Sequence, residues 1–106
     1  METTKSIRIC IPIDVMQNSV LNKIPFTGNS IYAFISIYKN EEFILSDDII
    51  TNDKEKIFTI GTVNIEKKNR FFVPKVAREL NIINFLDKKF LFYIHTDKTI
   101  RIKSIN

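Results

Sequence analysis

Six residues in the second half of the chain carry side chains suited to a polyanion: Lys67, Lys68, Asn69, Arg70, Lys75 and Arg78. Lys67, Lys68 and Arg70 fall on one polar turn and its exit, with Asn69 inside it. Lys75 and Arg78 stand three apart in a stretch that reads as a short helix, so they share a face. Arginine offers a planar fork that meets a phosphate or a guanine edge through two hydrogen bonds. Lysine supplies attraction to phosphate that is indifferent to base sequence. Together these are the means of binding a polyanion. The plainer alternative is a solvated turn whose charges do nothing.

Catalytic chemistry is not offered. His95 is the single histidine, on a strand face beside Tyr93. It reads as a surface or edge residue rather than a general base or ligand. Cys10, the single cysteine, faces away from a stripe of isoleucines and reads as a packing residue rather than a nucleophile. No Cys/His set has metal-ligand spacing. Two glycines, Gly28 and Gly61, cannot build a phosphate-cradling loop. Asp47 and Asp48 are adjacent, so in a strand they point to opposite faces. The expectation is a protein that is not an enzyme and uses no cofactor and no metal.

Charge is unevenly spread. Residues 1–53 hold four bases against seven acids, a net of −3; residues 54–106 hold twelve against five, a net of +7. The positive charge therefore sits in the half that carries the six candidates, as in a polyanion binder. Lys88, Lys89, Lys98, Arg101 and Lys103 read instead as solvated residues. With 106 residues, 44% of them apolar, the chain suits one compact domain or two very small ones sharing a core. No stretch has the length and apolarity of a membrane span, and Met1 to Lys5 is polar, unlike a signal peptide. A lone cysteine fits a reducing compartment. The expected location is the cytoplasm, associated with DNA.

The elements that position the candidates follow from periodicity. Ser6 to Pro12 alternates, with Ile7, Ile9 and Ile11 on one face and Arg8 and Cys10 on the other. A helix follows over Ile13 to Asn22, with Ile13, Met16, Val20 and Leu21 at helical spacing, then a loop over 23–29. Ser30 to Tyr38 is a long strand with Ile31, Ala33, Ile35 and Ile37 on one face, and Glu42 to Ser46 returns. Thr51 to Lys56 reads as a linker between a first half, 1–50, and a second, 57–106. Strands are expected over 57–66, where Gly61 marks a bulge or a close approach, over 70–73, 89–96 and 99–103, with a short helix over 75–80. In the last strand Arg101 and Lys103 point outward.

The two halves repeat each other. Arg8-Ile9-Cys10-Ile11-Pro12 and Arg70-Phe71-Phe72-Val73-Pro74 both read R-x-x-[IV]-P, 62 positions apart (70 − 8). Each is followed by a helix, a loop, a long strand, a tight turn and a short strand. The first copy has no full counterpart of the strand 57–66, and Met16 stands where the second has Arg78. It reads as a structural half that has lost its basic face, so Arg8 is expected to add little to binding.

Residues 57–106 resemble the AbrB/SpoVT/MazE family of swapped-hairpin transcription factors. That family's signature is a turn of the type D-E-x-G-R, two apolar residues, I-P, and a helix with an arginine four residues after the proline. Here the turn is Glu66-Lys67-Lys68-Asn69-Arg70, the strand is Phe71-Phe72-Val73-Pro74, and the helix carries Arg78 and closes with Leu80-Asn81-Ile82. Asn69 replaces the usual glycine and can also enter the left-handed region. The resemblance implies a mostly β fold with short helices, an AbrB-like swapped-hairpin β-barrel formed by two interlocked units, here either two chains or two copies within one. It implies a small transcriptional regulator that binds double-stranded DNA through Arg70 and Arg78 with the neighbouring lysines, usually as a homodimer. The alternative is a MazE-like antitoxin or interaction module, with the acidic N-terminal half as the surface for a protein partner.

Overall fold

The protein was analysed as a computed structural model, which describes residues 8–25, 28–39, 42–75 and 89–105. The chain is mostly β with short helices. Strands are β1 (Arg8–Cys10), β2 (Ser30–Tyr38), β3 (Glu42–Ser46), β4 (Thr51–Asn52), β5 (Ile57–Glu66), β6 (Arg70–Phe72), β7 (Lys89–Ile94) and β8 (Ile100–Ile105). They form two antiparallel sheets: a ribbon β1-β6 and a six-stranded sheet in the order β4-β5-β2-β3-β8-β7. Among the described residues these strands do not close into the expected barrel, because the ribbon forms a sheet of its own.

Alternation placed the strand faces correctly. Ile9 and Ile11 are buried while Arg8 and Cys10 are exposed; Ile7 lies outside the described residues. Ile31, Ala33 and Ile35 of β2 join Phe43, Leu45, Val63, Ile65, Ile100 and Ile102 in one core. Phe71 and Val73 close it from the ribbon side, and Met16 and Leu21 from the helical segment. Each such side chain removed from water contributes roughly 1.5–3 kcal/mol.

The first helix is shorter than its periodicity suggests. α1 spans Ile13–Asn18, and Val20–Lys23 is a 3-10 turn. Ser19 between them has extended backbone, and its hydroxyl donates to the Met16 carbonyl and accepts from the Leu21 amide. Serine competing for backbone bonds in this way ends a helix. Ile13, one of the apolar residues at helical spacing, is 65% exposed.

The segment expected as a linker, 51–56, holds β4 and the turn 53–56, with Thr51 paired to Phe58 and Asn52 to Ile57. The preceding stretch crosses the far face of the sheet. The Ile50 amide donates to the Thr59 hydroxyl (2.8 Å), which donates to the Ile50 carbonyl (3.0 Å). Since that proton is committed, Ser36 must donate in its 2.9 Å bond to Thr59. Gly61 does mark a bulge: the β2–β5 register runs Ile35 to Gly61 and then Ser36 to Thr59, leaving Ile60 extra. Among the described residues no close approach occurs there, for a Cβ on Gly61 would meet nothing within 4 Å.

The halves of the chain are interlocked. β2 pairs with β5, β3 with β8, and β1 with β6. Each of these ladders joins a strand from before residue 54 to one from after it.

Candidate nucleic-acid interface

β5 ends at Glu66 and the chain reverses over Lys67, Lys68 and Asn69 into β6. Asn69 takes φ 60°, the left-handed conformation expected of it. Its amide donates to the Glu66 carbonyl at 2.8 Å, which closes the turn. The first half of the chain then clamps it. The Lys67 amide donates to the Asn29 carbonyl (3.0 Å), and the Ile11 amide donates to the Asn69 carbonyl (2.8 Å). Cys10 Sγ lies 3.8 Å from the Lys68 carbonyl oxygen. With their backbone held, Lys67 and Lys68 point exposed side chains into solvent. They border an open cleft of about 520 Å³ whose walls include Asn29, Asn64, Glu66 and Arg70.

Arg70 is less available than the sequence suggests. Its Nη2 lies 3.1 Å from Glu66 Oε2, and both side chains are part-exposed. Its Nε is buried without a hydrogen-bond partner among the described residues. A pair this exposed holds a guanidinium weakly, so a phosphate can compete for it. Lys75 is exposed and sits at the start of the expected helix, three residues beyond β6. Arg78 lies outside the described residues. Of the six candidates, four are thus gathered on one turn, with Lys75 further along the chain.

No family model matches this chain, and neither does any curated protein or solved structure.

Arg8, expected to add little to binding, lies close to this turn on the ribbon β1-β6. β1 and β6 pair with Arg8 opposite Phe72, Ile9 opposite Phe71 and Cys10 opposite Arg70. Arg8 therefore shares the outward face of the ribbon with Arg70. Its guanidinium carbon lies 4.8 Å from the centroid of the Phe72 ring. The signal was present in the matching phase of the two R-x-x-[IV]-P copies, but nothing local said that the copies pair with each other. Cys10 is on this face too and is exposed, where a packing role had been expected.

Arg101 departs from expectation in the opposite sense. It points away from the core as foreseen, yet is only 7% exposed instead of solvated. It lies over the Tyr38 ring at 5.9 Å, with Nε donating to Thr99 Oγ1 (3.3 Å) and Nη2 3.9 Å from Asp97 Oδ2. Burial raises the Asp97 pKa, but bonds from the Thr99 hydroxyl and amide, with the charges of Arg101 and His95, outweigh it and hold the carboxyl below its ordinary value. Opposite Arg101 in the β7–β8 ladder, Tyr93 donates its hydroxyl proton to Glu42. Burial, the bond to Glu42 and that carboxylate's charge push Tyr93 up to about 12. A phenol so held keeps its proton near neutral pH and ties β7 to β3. His95 is exposed, and its backbone amide bonds the Thr99 carbonyl. No three His, Cys, Asp or Glu side chains among the described residues are grouped to hold a metal ion. No described helix is long and apolar enough to cross a membrane.

Proposed function

We propose that this protein is a small transcriptional regulator that binds duplex DNA, built from two swapped-hairpin halves of the AbrB/SpoVT type within one polypeptide. The observation that carries the reading is the clamped turn: Lys67 and Lys68 exposed side by side, Asn69 left-handed, and Arg70 at the exit. Fixing the backbone beforehand lowers the ordering cost of phosphate binding. The basic balance of residues 54–106 supports the same partner. Ladders that join the two halves support the swapped arrangement, with one chain supplying both members of a pair that a homodimer would draw from two.

A second reading, an interaction module, is favoured by β7. Among the described residues this strand pairs with β8 alone, and it exposes Leu91. An open sheet edge can accept a partner's strand.

Gel-shift titration against genomic fragments, with the mass in solution from light scattering, tests the first reading. Duplex binding that falls with salt, by a log–log slope of about −0.9 per phosphate neutralised, is the expected result. Binding that stays flat from low to moderate salt, or none at low salt, would sink it and leave the interaction module.

A further inference from the structure

We infer that the ribbon β1-β6 itself lies against the DNA, with Arg8 in the contact and Phe72 holding its guanidinium in place. This rests on the DNA-binding reading above.

The outward face of the ribbon consists of two directly opposed pairs, Arg8 with Phe72 and Cys10 with Arg70. Ile9 and Phe71 between them are buried in the core. The two guanidiniums therefore stand on different strands, diagonally across the Ile9–Phe71 pair. At the exit of the same ribbon the turn adds Lys67 and Lys68, giving four cations on neighbouring positions. Among the described residues the acid paired with this set is Glu66, which holds Arg70; no described carboxylate forms a salt bridge with Arg8. A two-stranded antiparallel ribbon has the width to enter the major groove of B-form DNA, and its alternation points one row of side chains at the base edges.

Phe72 explains how Arg8 can be effective without a salt bridge. The ring is 46% exposed and lies under the guanidinium. Stacking of this kind holds the fork in place without neutralising it. Phe72 is then a positioning residue and Arg8 a contact residue. The basic helix position of the first copy has been lost to the core, where Met16 is buried, but its strand arginine remains in use.

Cys10 provides a reporter on this face, being the sole cysteine and exposed. Its alkylation by iodoacetamide should be followed in the intact chain, with and without saturating random-sequence duplex DNA. Bound DNA should slow the reaction about tenfold or more, as expected when phosphates and bases cover the ribbon. Arg8→Ala should weaken binding about tenfold and reduce the salt slope by about 0.9. Arg8→Lys should restore the slope, and Phe72→Ala should lower affinity while leaving the slope unchanged. Circular dichroism checks that each variant folds, and the Cys10 measurement needs no variant. If DNA binds while Cys10 reacts at its unbound rate and a folded Arg8→Ala binds as well as the parent, the ribbon is not the contact and the turn stands alone. If the parent binds no DNA at low salt, the functional reading fails and the ribbon inference falls with it.

Discussion

Ile9 of β1 stands directly opposite Phe71 of β6, and the two hold the same place in the repeated R-x-x-[IV]-P pattern, 62 positions apart (71 − 9). A second cross-half ladder, β3–β8, behaves alike. The hairpins β2–β3 and β7–β8 match at an offset of 57, since Ile37 faces Phe43 and Ile94 faces Ile100 (94 − 37 and 100 − 43). At that offset Ile44 is the counterpart of Arg101 (101 − 44), and these two are directly paired between β3 and β8. An antiparallel ladder between equivalent strands is symmetric when it is centred on equivalent residues, and both ladders are.

The centre of the ribbon should be a stability determinant. Phe71→Ala empties a site that is 1% exposed and should cost about 3–5 kcal/mol. Phe72→Ala, one position along and facing outward, should cost far less. Denaturant midpoints of the two variants check this, and comparable losses would contradict the assigned faces.

Residues 54–106 expressed alone should not fold as a monomer. In that fragment β5, β6 and β8 lose β2, β1 and β3, which lie in the first half. Unpaired edges and bared apolar faces favour unfolding, aggregation or self-association. Circular dichroism and size-exclusion chromatography decide the matter, and a folded monomeric fragment would contradict the interlock.

The turn backbone predicts a contrast at Asn69, whose φ is 60°. Asn69→Gly should remain within about 1 kcal/mol of the parent, since glycine enters this region freely. Asn69→Val should lose about 1–2 kcal/mol, because its branched Cβ crowds the following carbonyl oxygen. Thermal or chemical denaturation reads both.

Binding strength should respond to Glu66. Glu66→Gln removes the carboxylate 3.1 Å from Arg70 and leaves the guanidinium for phosphate. An exposed pair is worth about 0.2–1 kcal/mol, so affinity for DNA should rise by up to about fivefold. Lys67→Ala and Lys68→Ala should each weaken specific and random duplexes alike and reduce the salt slope by about 0.9. Arg70→Ala should narrow the gap between specific and random DNA by about 1–3 kcal/mol if its fork reads a base. Fluorescence anisotropy over a salt series separates these effects.

Stability should decline in alkali through Tyr93. Its pKa is pushed up to about 12 from 10.0, chiefly by burial and then by the bond to Glu42. Above pH 10.0 the unfolded chain loses this proton while the folded chain keeps it. The stabilisation is therefore complete below the unfolded value and is lost as pH rises through the folded one. Tyr93→Phe should remove this component of the alkaline decline. Phenolate absorbance with the denaturant midpoint at each pH measures it; an unchanged profile in the variant would refute the assignment.

Much of the candidate turn was legible because its determinants are local. Adjacent lysines, an asparagine able to turn left-handed, and an arginine at the strand exit all lie within four consecutive positions, 67–70. The alternation of Ile31, Ala33 and Ile35 likewise reports a buried face, because side chains on a strand switch sides with each residue.

What strands pair with is not written in their periodicity. The same alternation in β1 fits any partner, so its junction with β6 depends on long-range packing. That junction puts Arg8, which was expected to be idle, on the same face as Arg70, and leaves Cys10 exposed. The β3–β8 junction likewise places Arg101 beside Tyr38 and buries it, although its outward phase had promised solvent. By itself the sequence determined the faces of the strands and the chemistry of the turn. Tertiary structure decided which faces meet, because each contact between the halves must be favourable enough to offset the entropy of closing the chain between them.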